Sequence, residues 1–172
     1  YTCHVVLDAV ERAAKKPIFY DSSVIAEVKD IEKILSKVDA LIISYNFGLI
    51  PNLEKITSLC KKYNVILIED CAQALGAKYN QKLVGSFGDY AFYSFGISKN
   101  VGFCGGLITS KNKLILQKTR IMPFSDLMDT IVKSSVHSFF FHSFVYKYTK
   151  KYLQEELEKN PPPLAYKLPA YA

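Results

Sequence analysis

Two short segments of the chain contain residue types that could carry out chemistry. In the first, Asp70 follows the apolar run 65–68; in the second, Ser94 ends another apolar run and Lys99 lies beyond it among glycines. A carboxylate, a hydroxyl and an amine meeting in one crevice would suit a cofactor that is cationic at one end, anionic at another and carries an aldehyde. The segments are Ile68–Ala77 (IEDCAQALGA) and Gly85–Asn100 (GSFGDYAFYSFGISKN).

The elements that would position these residues follow from the hydrophobic pattern, in which segments of helical spacing alternate with short apolar runs. This alternation predicts βαβ units and a mainly parallel sheet, and continuous apolar runs are typical of strands covered on both faces. Ligands bind at the carboxyl ends of such strands, so Asp70 and Ser94 stand where function is expected. The predicted helices cover 5–15, 30–38 and 51–60, and the predicted strands cover 17–21, 40–44, 65–68, 90–95 and 105–109.

The two segments closely resemble the sugar aminotransferases of the DegT/DnrJ/EryC1/StrS family. The combined pattern EDCAQALGA, then GSFGDYAFYSF, then a lysine five residues after the serine, is far more specific than a short glycine motif. The resemblance runs from Ile18 to Thr109, about half of the chain. It implies an α/β fold of the aspartate aminotransferase type (PLP fold type I), with a mainly parallel sheet, flanking helices and, here, a helical C-terminal tail.

The resemblance gives each matching residue a role around pyridoxal 5′-phosphate (PLP). Lys99 matches the lysine that forms a Schiff base with the cofactor and then moves the proton. Asp70 matches the carboxylate that faces the pyridine nitrogen and keeps it protonated. Ala72 matches the small residue packed on the ring, Gln73 the neighbour of the ring hydroxyl, and Ser94 a hydroxyl that binds the phosphate.

The activity that the resemblance implies is a PLP-dependent amino transfer. An amino acid, with glutamate as the expected donor, would supply the amino group, and a keto-sugar linked to a nucleotide would accept it. Lys99 separates the chain from the dehydratase branch of the family, which has another residue there. A homodimer is expected, because relatives share residues across their interface.

Other interpretations of the same residues stay open. Asp70 could cap a helix beginning at Ala72, Lys99 alone is most often a solvated surface lysine, and Ser94 alone is most often a strand-end hydroxyl. The alternative function is a non-catalytic, aminotransferase-like binding or scaffold module. A third hypothesis is another enzyme on this fold, such as a desulfurase, although nothing resembles its mobile cysteine loop.

The chain departs from the family pattern in several places. The family's Gly-Thr turn, which cradles the phosphate, and an aromatic residue near the ring belong before Tyr1, and no Asn-Tyr-Arg-Met type motif follows Arg120. The segment 45–48 reads Tyr-Asn-Phe-Gly where relatives often have His-x-Tyr-Gly. A phosphate held mainly by Ser94 and backbone amides should bind weakly. This departure is compatible with three interpretations of the chain: a fragment of a longer enzyme, a truncated gene product, or one piece of a site that another chain completes.

Composition bounds the remaining possibilities. The net charge of +6 lies almost entirely in the tail, since 1–110 carries 12 basic and 11 acidic residues and 111–172 carries 10 and 5. With only two arginines no nucleic-acid partner is expected.

The family match and the position of the charge predict two domains, a PLP-binding core at 1–110 and an aromatic, basic helical tail at 111–172. The tail is expected to pack on the core or across a dimer, with partner docking and a membrane surface as successive alternatives.

Cysteine usage and the start of the chain bear on the compartment. The four cysteines, at positions 3, 60, 71 and 104, form no CxxC pair, so neither a structural metal site nor a disulfide scaffold is predicted. No signal peptide is recognisable. The expected location is the reducing cytoplasm.

Overall fold

The computed structural model of the chain describes residues 3–96, 105–112 and 123–140, together with residues 142, 145, 147, 148, 150 and 155. The chain divides into two compact units, Tyr1–Ile121 and Met122–Ala172. The sequence-based division into a PLP-binding domain at 1–110 and a tail at 111–172 is a statement about function, which the division into compact units does not test, and it stays a prediction.

The first unit is an α/β unit built around one sheet. Its helices are α1 (His4–Arg12), α2 (Val28–Leu35) and α3 (Leu53–Tyr63). Its strands are β1 (Ala40–Ser44), β2 (Ile66–Asp70), β3 (Lys78–Tyr79), β4 (Lys82–Leu83), β5 (Tyr90–Ser94) and β6 (Gly106–Ser110). The main sheet has the order β1-β2-β5-β6, in which the first three strands are parallel and β6 runs antiparallel to β5. The predicted mainly parallel α/β sheet is confirmed.

The third helix shows how local sequence sets an element's limits. Asn52 is the N-cap, and its side-chain oxygen accepts a hydrogen bond from the Lys55 N–H at 3.1 Å. Pro51 therefore lies just outside the helix, and the prediction that it opens the first turn is wrong by two positions. The helix ends where Asn64 takes a left-handed conformation (φ 56°), which lets the Val65 N–H donate to the Cys60 carbonyl at 2.8 Å.

One predicted strand does not form. The segment 17–21 has no regular structure and pairs with no strand in the described part of the chain. Its apolar side chains Ile18 and Phe19 are about half exposed. A strand needs a neighbour to take up its backbone hydrogen bonds, and an apolar run after a proline does not supply one.

The two faces of the sheet differ in how they are covered. Side chains alternate along a strand, so odd-numbered residues of β1 and β2 point to one face and even-numbered residues to the other. Leu41, Ile43 and Leu67 on the first face are buried in a core shared with residues of α2 and α3. On the second face Ile42 and Ile68 are only partly buried. The prediction that both faces are covered is not met within the described residues, because α2 and α3 both contribute to the core of the first face.

A buried carboxylate in β2 joins the loop before β5 to the segment after β1. Glu69 of β2 is fully buried and accepts hydrogen bonds from the Tyr45 hydroxyl at 2.7 Å and from the Gly85 N–H at 2.6 Å through Oε2. Its Oε1 accepts from the N–H groups of Phe87 at 2.8 Å and Gly88 at 2.5 Å. Burial of an unpaired carboxylate is very unfavourable, and four donors compensate for the lost hydration. Glu69 thereby fixes the loop before β5 and the segment after β1.

The second unit contains α4 (Phe124–Phe140), which confirms a helical tail over those residues. Lys133 and Asp129 form an ion pair along the helix at 2.5 Å. No helix in the part of the chain that the structure describes is long and apolar enough to cross a membrane. Several apolar side chains of α4 are exposed: Phe124, Met128, Ile131, Val132, Val136 and Phe139.

The Glu69 cluster makes a testable contribution to stability. Burial and the hydrogen bond to Glu69 raise the pKa of the Tyr45 hydroxyl, which stays protonated and donates. Tyr45→Phe removes this donor from a buried carboxylate, and we expect the free energy of unfolding to fall by about 1.5–3 kcal/mol. Urea denaturation followed by circular dichroism measures the loss.

Tyr79→Phe is the matched control for that substitution. The Tyr79 hydroxyl donates to Asn52 at 3.4 Å in an exposed setting, so its removal should change stability by less than about 0.5 kcal/mol. Equal losses in the two variants would contradict a special role for the Glu69 cluster.

Candidate functional site

The carboxyl edge of the sheet brings three polar side chains to one face. The parallel strands β1, β2 and β5 end at Ser44, Asp70 and Ser94, so all three residues lie at the same edge. The register pairs Ser44 with Asp70 and Asp70 with Phe92, and Ser94 is two residues further along β5. Because side chains alternate, the three residues share a face, with Ser94 displaced by roughly 6.6 Å along the strand from Phe92.

Asp70 is held through both oxygens of its carboxylate. Oδ2 accepts a hydrogen bond from the Ser44 hydroxyl at 2.8 Å, and Oδ1 accepts one from the Ala72 N–H at 3.1 Å. The side chain is 7% exposed. A carboxylate offers about four acceptor positions, and these two hydrogen bonds occupy two of them.

No helix begins at Ala72, which corrects the helix-cap interpretation of Asp70. The segment after β2 makes successive turns, in which the Ala74 N–H donates to the Cys71 carbonyl at 3.0 Å and the Ala77 N–H to the Ala74 carbonyl at 3.1 Å. The bond from Ala72 to the Asp70 side chain is that of an Asx-turn, which competes with helix formation.

Gln73 is exposed and connects this turn to the segment after β1. Its Oε1 accepts a hydrogen bond from the Phe47 N–H at 2.9 Å. Phe47 has left-handed backbone angles (φ 57°, ψ 20°) and is followed by Gly48 at φ +73°. The left-handed region is unfavourable for a phenylalanine, and the bond to Gln73 helps to hold it there. Ala72, beside Gln73, is half-buried.

Ser94 is half-buried beside the start of the antiparallel strand. It pairs with Gly106, and the Phe95 N–H donates to the Gly105 carbonyl at 3.0 Å. A Cβ atom at Gly106 would overlap the backbone oxygen of Tyr93, so only glycine lets the two strands approach this closely here. The predicted cofactor lysine, Lys99, lies outside the described residues.

Cys71 lies next to Asp70 but belongs to the opposite face of the sheet. It is fully buried, and desolvation, followed by the nearby charge of Glu69, raises its pKa to about 12. The neighbouring Tyr93 hydroxyl donates to the Val84 carbonyl at 2.7 Å. Cys71 is therefore a protonated core thiol.

Sequence reasoning missed two contributors to this site. Ser44 was not singled out, because it is the last residue of an apolar run with no motif around it. Glu69 was treated as part of the motif without a role of its own. The usable signal for Ser44 was its place at a strand end, since parallel strands of similar length bring their last residues together.

The described part of the site offers an acceptor and a donor for the two ends of a ligand. Asp70 can accept a hydrogen bond from a protonated ring nitrogen, and Ser94 can donate one to an anionic group further along the same face. Among the described residues there is no group of three or more His, Cys, Asp or Glu side chains that could hold a metal ion. The donor set suits an organic cofactor with a cationic ring and an anionic arm.

Comparison with known proteins identifies the family that this chain matches. The sequence profile of the DegT/DnrJ/EryC1/StrS aminotransferase family matches residues 2–156. A pleiotropic regulatory protein of Geobacillus stearothermophilus is 33% identical over 128 residues, which cover 71% of this chain and 34% of that protein. A dTDP-3-amino-3,6-dideoxy-alpha-D-galactopyranose transaminase of Aneurinibacillus thermoaerophilus is 41% identical over 93 residues, covering 53% of this chain and 26% of that protein.

Solved structures show the same fold. The X-ray structure of an aminotransferase from Psychrobacter cryohalolentis matches with a TM-score of 0.58 and 29% identity, covering 64% of this chain and 30% of that one. The chain spans about a fifth to a third of the length of the curated relatives it matches.

The Cys71 environment predicts a pH dependence of stability. The thiol has a pKa of about 12 in the folded chain against a usual value of 9.0, so above pH 9 only the unfolded chain releases this proton. Stability should therefore be constant below pH 9 with respect to this group and fall between pH 9 and 12, by up to about 1.4 kcal/mol per pH unit.

Cys71→Ala should make the alkaline decline less steep, with Cys60 and Tyr93, whose pKa values are raised to about 11 and about 12, still contributing to it. Cys3→Ala, at an exposed position, should leave the slope unchanged. Urea denaturation at pH 8, 10 and 11 gives the slopes for the three proteins. Identical slopes in wild type and Cys71→Ala would show that this buried thiol does not set the decline.

Proposed function

The chain belongs to the DegT/DnrJ/EryC1/StrS aminotransferase family, and we propose that it forms the central part of a PLP site for amino transfer to a nucleotide-linked keto-sugar. The observation that carries the proposal is the position of Asp70 and Ser94 on one face of the carboxyl edge, with both oxygens of Asp70 already oriented. PLP, when bound, supplies an electron sink for the substrate's amine-bearing carbon.

The residues of the chain would divide the work of binding and proton transfer. Asp70 would accept the hydrogen bond of the protonated ring nitrogen, and Ala72 would leave room for the ring. Gln73 would lie near the ring hydroxyl, and Ser94 would donate to the phosphate. Lys99 would attach the cofactor through its amine and later carry the proton.

The substrates and the assembly are part of the same proposal. The transaminase of Aneurinibacillus thermoaerophilus is named for a dTDP-linked amino-sugar, which supports a nucleotide-linked sugar as the acceptor here. Glutamate as the amino donor and a homodimer are proposed from the family resemblance. We place the protein in the reducing cytoplasm, which the free thiols of Cys3, Cys60 and Cys71 support.

Covalent capture of the cofactor tests the proposal directly. The 172-residue chain is mixed with excess PLP, reduced with borohydride, digested and analysed by mass spectrometry. We expect one reduced adduct on Lys99, lost in Lys99→Ala and unchanged in Lys82→Ala, an exposed lysine of the β3–β4 hairpin.

The outcomes separate the two candidate functions. A reduced PLP adduct on Lys99, together with release of 2-oxoglutarate from added glutamate, supports the aminotransferase function. Labelling spread over surface lysines, with Lys99 no more reactive than Lys82, would reject catalysis by this chain and favour the non-catalytic binding module.

A further inference from the structure

We propose that Ser44 is a positioning residue of the cofactor site, which orients the Asp70 carboxylate toward the ring nitrogen of PLP. The inference rests on the proposed function, but its structural basis lies in the described contacts. The Ser44 hydroxyl donates to Oδ2 of Asp70 at 2.8 Å across the β1–β2 pair.

An aspartate needs such partners to present a fixed acceptor. Two torsions orient an aspartate carboxylate: the Cα–Cβ torsion aims it, and the next torsion, which is broad and roughly two-fold, turns its plane, so the backbone alone fixes neither. Here one oxygen takes the Ser44 hydroxyl and the other takes the Ala72 N–H, from two different segments of the chain. Two donors on two oxygens define the plane of the carboxylate and therefore the direction of its remaining acceptor positions.

Ser44 is itself held rigidly. Its chain neighbours, Ile43 and Tyr45, are buried in the core on the opposite face. The Tyr45 N–H donates to the Asp70 carbonyl at 3.1 Å, and the Tyr45 hydroxyl donates to Glu69 at 2.7 Å. The backbone of Ser44 is thus fixed against the very residue that its side chain orients, as a preorganised site requires.

A serine that merely satisfied its own hydroxyl would behave differently from a positioning serine. In the first case, removal of the Ser44 hydroxyl would change the free energy of unfolding but not the conformation of Asp70. In the second, Asp70 would sample more than one rotamer and the cofactor would bind less tightly. The two cases are separated by measurements on Asp70 itself and on PLP binding.

The isosteric pair Ser44→Thr and Ser44→Val makes the test sharp, since both fit a strand and only threonine keeps the hydroxyl. We expect Ser44→Val to weaken PLP binding roughly tenfold and Ser44→Thr by no more than about twofold. In an Asp70→Asn background the difference between threonine and valine should shrink. Ser86→Val, at an exposed serine that bonds only to a backbone carbonyl, serves as the control.

A second readout needs no cofactor. Three-bond couplings from the Asp70 backbone to its carboxyl carbon, measured by NMR on the labelled chain, report whether the Cα–Cβ torsion that aims the carboxylate holds one rotamer or an average of several. We expect one rotamer in wild type and Ser44→Thr and averaging in Ser44→Val. If wild type fails to bind PLP, the proposed function fails, and these couplings still decide whether Ser44 orients Asp70.

Two results would overturn the proposal. One is an unchanged set of Asp70 couplings in Ser44→Val. The other is equal weakening of PLP binding in the threonine and valine variants, which would assign the effect to shape rather than to the hydroxyl.

Discussion

The buried carboxylate of Glu69 holds the backbone segments on either side of β2 in place, and β2 carries the central residue of the candidate site. Its four hydrogen bonds come from one side-chain hydroxyl and three backbone N–H groups, and they reach both the segment after β1 and the loop before β5. A carboxylate with 0% exposure cannot exchange these donors for water. The loop 85–88 therefore has one favourable position relative to β2, and β5 begins from that position.

The alternation of side chains along β2 gives two adjacent acidic residues different roles, one within the core and one at the candidate site. Glu69 points into the covered face, where its two oxygens accept hydrogen bonds from groups of the chain itself. Asp70 points to the face that carries Ser44 and Ser94. A slip of one residue in the β1–β2 register would exchange the two faces and leave a carboxylate in the core without its donors. The same interactions that stabilise the fold thus fix which carboxylate is available to a ligand.

The sequence was sufficient for the parts of this arrangement that depend on local pattern. Apolar runs located β1, β2, β5 and β6 to within a residue or two, and polar residues at their ends identified Asp70 and Ser94. The strand predicted at 17–21 was wrong because an apolar run does not reveal whether a neighbouring strand is present to pair with it. Ser44 and the four donors to Glu69 were not predictable locally, since those contacts join residues 16 to 26 positions apart. The position of Lys99, outside the described residues, remains a prediction from the motif.

Strand residues and turn residues contribute to the site in physically different ways. The positions of Ser44, Asp70 and Ser94 are set by the sheet, whereas the Gln73 side chain is held by the hydrogen bond from the Phe47 N–H. That bond also fixes the amide group, because the oxygen that accepts it faces the loop and the NH₂ group must then face away. In the proposed site this leaves Gln73 a donor, which is what a ring hydroxyl or its anion requires. The left-handed conformation of Phe47, unfavourable by about 1–2 kcal/mol, is thereby linked to the orientation of the Gln73 amide rather than being an isolated feature of the loop.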